Sequence, residues 1–205
     1  MTAPVLLNIT FPEKEIFLRL GGHLTKTGLS AIERQKFITA GHQAFSLCRP
    51  AGIWEIFPVE TITEQGIFLQ DGSFIEGGVF AARNPRISHL WCAAVTVGSE
   101  VTSRRDQMQN ISEAAIFDAV AAESADSAMD LLQQMAAKEL LRQALFLNKQ
   151  RFSPGYADMP LSVQQFVAEK KLLPAIGVGL NENFYRTPEK SVTAFAGVSM
   201  HSMEN

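Results

Sequence analysis

The sequence predicts an α+β fold, in which a mixed or antiparallel twisted sheet carries long helices packed against it. Two observations predict it. Short β-rich runs occupy the chain between Ile53 and Val97, and a long, alanine-rich helical pattern follows Asn110. A final strand-like unit after Pro174 returns the chain to the sheet texture.

The elements follow in order. Residues 10–20 carry Pro12 near a helix start, early glutamates at 13 and 15, and apolar Ile16, Phe17 and Leu20 on one side, and Gly21-Gly22 stops the helix. Ser30 with Glu33 is a capping box, opening a helix that runs to about Cys48, before Arg49-Pro50. Residues 53–60 and 66–70 read as strands, with a turn at Asp71-Gly72. Residues 90–97 form a near-continuous apolar run, the pattern of a strand buried on both faces, closed by Gly98. Residues 99–108 read as a polar helix. A further helix starts at Asn110 and continues almost to Leu147, with a break expected near Glu123-Ser124. A short helix spans about 161–170, and Pro174 and Gly177 announce a hairpin-like strand pair around 181–189, with a polar tail after Val198. The expected organisation is one domain over 1–205, with a helical part (1–50), a strand-rich part (51–98), and a part holding helices, a binding loop and the strand pair (99–205).

Composition bounds the function. Hydrophobic residues make up 46% and charged residues 19% of the chain, which are globular values. A net charge of -3 and the absence of a basic run argue against a nucleic-acid partner. The adjacent pairs Arg104-Arg105 and Lys170-Lys171 read as solvated helix faces. No apolar run approaches the roughly 20 residues that span a bilayer, and the patch at Val5-Leu6-Leu7 lacks the basic flank of a signal peptide. Cys48 and Cys92 are too few for a disulfide framework, and His23, His42, His89 and His201 have no metal-ligand spacing. The expected location is cytoplasmic, with no membrane and no metal.

The chemistry concentrates in residues 151–160, between two helical patterns. Arg151 offers a planar fork suited to a carboxylate. Ser153-Pro154 and Pro160 stiffen the backbone, Gly155 allows a turn and close approach of a ligand, and Tyr156 offers an aromatic face. The residues alone admit a second account, in which Arg151 caps the preceding helix and Tyr156 fills a core gap. Glu123, Asp126 and Asp130 can share one helix face, as ligand carboxylates or as a solvated acidic stripe. Core packing is the reading for His89 and Cys92 around Trp91.

The same segment, Arg-x-Ser-Pro-Gly-Tyr, resembles the Arg-x-x-x-Gly-Tyr signature of the activation domain of cobalamin-dependent methionine synthase, which binds S-adenosylmethionine (AdoMet). A second block runs from Ile176 through Pro188-x-x-Ser191 to Gly197, and a softer one joins 94–98 to the helix containing Asp118. The blocks cover about half of the chain in the family's order. The resemblance implies AdoMet as ligand, with Arg151 on its carboxylate, the Ser153 main chain and Gly155 admitting it, and Tyr156 lining its adenosine or sulfonium region. It also implies an acidic residue, Asp126, for the ammonium. Ser191 is expected to hydrogen-bond within its turn, and Tyr185 stands where the family often has methionine. Cobalamin would enter only through a partner.

There is no Gly-x-Gly-x-x-Gly of the Rossmann type and no cysteine cluster for radical AdoMet chemistry. The family's domain continues into a further tyrosine-bearing segment, whereas residue 205 follows soon after Gly197, so the expectation is a compact, free-standing relative without cobalamin, folate or homocysteine modules. The implied role is reactivation by reductive methylation of cob(II)alamin on a corrinoid-binding methionine synthase or related methyltransferase. The electron would come from a flavodoxin- or ferredoxin-like donor, and no side chain of the chain need be catalytic. The alternatives are a corrinoid-protein interaction module and a small-molecule sensor on the same fold.

Overall fold

A computed structural model describes residues 3–21 and 30–200. His23 and His201, Gly22 and the end of the polar tail lie outside them. The strands are β1 (Val5–Leu6), β2 (Ala51–Thr63), β3 (Gly66–Leu69), β4 (Phe74–Glu76), β5 (His89–Thr96), β6 (Phe146–Leu147), β7 (Gly179–Leu180), β8 (Arg186–Thr187) and β9 (Ser191–Ser199). Seven of them form one sheet in the order β4-β3-β2-β5-β9-β6, with β1 added beside β2, while β7 and β8 pair separately. Every pairing is antiparallel. The fold is α+β.

Strand β5 lies between β2 and β9 and is buried on both sides, which is why its sequence is apolar at nearly every position. Alternation assigns its two faces. Leu90, Cys92 and Ala94 join Ile53, Phe57 and Phe195 in one core, while Trp91, Ala93 and Val95 join Trp54, Ala194 and Ala196 in another.

The helices are α1 (Glu13–Arg19), α2 (Ala31–Ser46), α3 (Gly78–Arg83), α4 (Glu100–Asp106), α5 (Ile111–Leu141), α6 (Gln164–Glu169, after a 3-10 turn at Leu161–Val163) and α7 (Leu172–Ala175). The Ser30 box caps α2, with the Ser30 Oγ accepting from Glu33 N at 3.3 Å and Glu33 accepting from Ser30 N at 2.8 Å. Asn110 caps α5 by accepting from the backbone of Ser112 and Glu113. The second half of α5 lays Ala128, Met129, Leu132 and Ala136 on the Trp91 face. Its first half packs with α1, α2 and α4 around Phe17, Phe37 and Phe117. The opposite sheet face is covered by α3, α6, α7 and the 152–163 segment.

Three expectations are corrected. Helix α5 runs unbroken through Glu123-Ser124, where Ser124 is fully buried and Glu123 pairs with Arg19, so both are held by tertiary contacts. It stops at Leu141, and Phe146–Leu147 is a strand rather than helix because it pairs with β9. The basic pairs are not simply solvated. Arg105 bonds to Asp106, Asp118 and Glu189, and Lys170 pairs with Asp71 while lying 5.3 Å from the Phe166 ring.

The Arg105 network ties α4 and α5 to the turn before β9 and has an acid limit. The hydrogen bond from Arg105 brings the Glu189 carboxyl down to about 2. Partial burial alone would raise Asp118, but Lys190 and Arg105 outweigh it and hold it below the ordinary carboxylate range. A depressed folded-state pKa contributes stability above the unfolded value, lost as pH falls through the folded one. Glu189→Gln is therefore expected to lower the thermal midpoint at neutral pH and to flatten its fall between pH about 4.5 and about 2. Midpoint-versus-pH curves that run parallel for the two proteins would contradict this.

Candidate functional site

The 151–160 segment is held from several sides. Phe152 bridges to Phe195 of β9 through both backbone bonds, at 2.9 and 2.7 Å, and its ring packs on Phe80. Pro154 and Met159 are buried. Gly155 has φ +89°, the left-handed region that suits glycine, and its N–H donates to Met159 O at 2.9 Å, closing the loop on itself. Asp158 accepts from Val79 N at 3.0 Å at the start of α3. Tyr156 then projects outward with 71% of its surface exposed. It fills no core gap.

Arg151 turns toward α5. Its Nη2 lies 2.7 Å from Asp130 Oδ1, and its Nη1 donates to Gln133 Oε1 at 2.6 Å. The guanidinium does not cap the end of α5, since both partners lie well before Leu141. The Gln133 amide also donates to Asn148 O and Lys149 O, at 2.8 and 3.2 Å, and so clasps the chain leading into the loop. These residues border a groove of about 360 Å³ between α5 and the 147–151 segment, lined by Asp130, Gln133, Ala137, Leu147, Lys149 and Arg151 among others. A second cavity of about 500 Å³ lies between α2 and the start of α5 and includes none of the candidate residues.

The acidic face divides. Glu123 bonds to Arg19, and Asp126 lies 3.5 Å from the same arginine, so the carboxylate in contact with Arg151 is Asp130, one turn beyond Asp126. More than half of the Asp126 side chain is open to solvent, yet surrounding protein and then Glu123 push its carboxyl up, against the pull of Arg19. Asp126 also feels Asp130 and Arg151, which places it beside the groove rather than in it. Gln133 carried no expectation, although its spacing from Asp130 puts both on one helix face.

The remaining motif residues separate in the same way. Ser191 is buried, donates to Pro188 O at 2.8 Å and shares a hydroxyl–hydroxyl bond with Thr96 Oγ1 at 2.9 Å, so it stabilises its turn as expected. Tyr185 is 62% exposed. Cys92 is core, with burial pushing its thiol well up, whereas His89 is only part-buried at the strand end and bonds Ser88. Among the described residues no group of histidine, cysteine and carboxylate side chains is placed to hold a metal ion. No helix of the described chain is long and apolar enough to cross a membrane.

A solved structure described as "Crystal Structure of the MetH Reactivation Domain bound to AdoHcy" aligns with 98% of this chain and 79% of its own, with a TM-score of 0.66 and 16% sequence identity. The two share a fold. The sequence matches no family model and no curated protein.

Proposed function

We propose that the chain is a single activation-domain-like unit that binds AdoMet and serves as the reactivation component for a separate corrinoid methyltransferase. The observation that carries this reading is the placement of the Arg151 loop. In a fold shared with a domain solved with AdoHcy, that loop is pinned on β9, its Arg151 lines one groove together with Asp130 of α5, and its Tyr156 ring stands exposed five residues further on. AdoMet needs that set: a cation for its carboxylate, an acid for its ammonium, and a flat apolar surface for its adenosine.

Arg151 would hold the methionyl carboxylate, with Gln133 fixing the orientation of the fork. Asp126 and Asp130 would face the ammonium. Gly155 and the Ser153 main chain would leave room for the ligand, and Tyr156 would cover its adenosine or sulfonium region. AdoMet supplies the methyl group, and a reduced corrinoid on the partner supplies the nucleophile, after an electron from a flavodoxin- or ferredoxin-like donor. The work of this chain is proximity and orientation.

Calorimetric titration tests the reading. AdoMet and S-adenosylhomocysteine are expected to bind and ATP is not, because ATP lacks the amino-acid end that Arg151 and the carboxylates recognise. Equal binding of all three would favour a sensor of adenine nucleotides. Binding of none, alone or with a corrinoid protein present, would leave an interaction module as the better account.

A further inference from the structure

The main sheet has an open edge at β4. Its strand order begins there, and among the described residues no strand pairs with the far side of β4. The ladder to β3 fixes which backbone groups face outward. Leu69 N donates to Ser73 O and Gly77 N to Gln65 O, each at 2.9 Å, and the same register sets Ile67 opposite Ile75. Ile75 therefore directs its N–H and C=O toward β3, whereas Phe74 and Glu76 turn theirs to the open side.

Phe74 and Glu76 also line a groove of about 320 Å³, whose far wall is the 3-10 turn and α6, with Ser162, Gln165 and Glu169. The two faces of the strand differ. Ile75 points into the core beneath α6, while Phe74 lies 4.5 Å from the Phe68 ring on the outer face, where Glu76 also stands. Both phenylalanines are exposed.

Charge decides what this edge accepts. Glu76 and Glu169 line the groove, no lysine or arginine does, and neither carboxylate has a basic partner among the described residues. Glu169 accepts from the Gln165 amide at 2.8 Å, and the neighbouring cation, Lys170, is taken by Asp71. The bias extends along the chain: residues 50–82 hold Glu55, Glu60, Glu64, Asp71 and Glu76 and not one lysine or arginine. A second copy on this edge would set two such acidic segments against each other, at a like-charge cost.

We propose that β4 is a docking edge for an extended basic segment of a partner protein, which joins the sheet as an added antiparallel strand. The N–H and C=O groups of Phe74 and Glu76 bond the incoming backbone. The register then sets the side chains: a cation opposite Glu76, an adjacent cation beside Ile75 that faces Glu169, and an apolar residue opposite Phe74. The edge shares no lining residue with the Arg151 groove and does not rest on the AdoMet reading.

The test titrates the full chain, labelled with ¹⁵N, with an end-blocked peptide Thr-Lys-Lys-Val-Thr and reads amide shifts and hydrogen exchange. Saturable binding is expected, with exchange slowed at the Phe74 and Glu76 amides and unchanged at Ile75, whose N–H is already bonded. A Thr-Glu-Glu-Val-Thr peptide is expected to bind at least about tenfold more weakly, and Glu76→Lys combined with Glu169→Lys to weaken the basic peptide about tenfold or more. N-methylation of the first lysine and the valine removes the donors that face β4 and is expected to abolish the protection. Arg151→Ala is expected to leave it unchanged. Binding without protection at these two amides, or binding that survives N-methylation, would mean charge attraction alone and would overturn the added strand. Equal binding of the acidic peptide, or no binding of the basic one, would overturn the assignment of the partner. Protection that grows with protein concentration in the absence of peptide would give the edge to a second copy instead.

Discussion

Gly197→Ala is expected to destabilise the chain by about 3 kcal/mol or more, combining an overpacked core with a broken buried hydrogen bond. A Cβ at this position would stand 2.2 Å from Asn84 Oδ1, 2.5 Å from Ile87 Cγ2 and 2.8 Å from Asn148 Nδ2. None of these atoms is the free end of a flexible chain. Asn84 is 2% exposed and held by Phe80 O at 2.9 Å, and Asn148 donates to it at 2.6 Å while its own backbone N–H donates to Gly197 O at 2.8 Å. The methyl group would separate the two asparagines and lift the 147–151 segment from β9. Gly179→Ala, where nothing lies within 4 Å, is expected to change stability by less than about 0.5 kcal/mol. Denaturant midpoints measure both, and equal losses would show that the crowding is not the cause.

Arg151→Ala is expected to weaken AdoMet binding about tenfold or more while leaving the chain folded. A charge-assisted pair with a carboxylate is worth about 1.5–3 kcal/mol, which corresponds to that factor or beyond. The cost to stability is smaller, because the Asp130 carboxylate it leaves behind is largely exposed and such pairs contribute about 1 kcal/mol or less. Calorimetry on the folded variant decides. An unchanged affinity would reduce Arg151 to a strut between the loop and α5, with no ligand role. Asp130→Asn separates the two functions further: a structural strut predicts a loss of stability alone, whereas a ligand carboxylate predicts a loss of affinity at preserved midpoint.

The two predictions concern one piece of architecture. Gly197 admits Asn148 against β9, Gln133 clasps Asn148 and Lys149, and the same glutamine receives Arg151. Arg151 and Gly197 stand out in the sequence as motif members far apart. Their link, through Asn148 and Gln133, does not.

What the sequence determined by itself is what near neighbours along the chain decide. The Ser30 box and the Asn110 cap act over two or three residues, and the apolar run of β5 reports its own double burial. The turning capacity of the Pro154-Gly155 loop is likewise local, and each of these was legible. The tertiary structure alone decided which carboxylate meets which cation. Glu123 bonds Arg19 across 104 positions and Arg105 bonds Glu189 across 84, and neither pairing leaves a periodic trace. It also decided that β6 is a strand at all, since a two-residue strand is defined by the partner it pairs with and not by its own propensity. Local chemistry specifies the pieces because it acts within a turn of helix or a step of strand. Ion pairs and short strands depend on residues that only folding brings together.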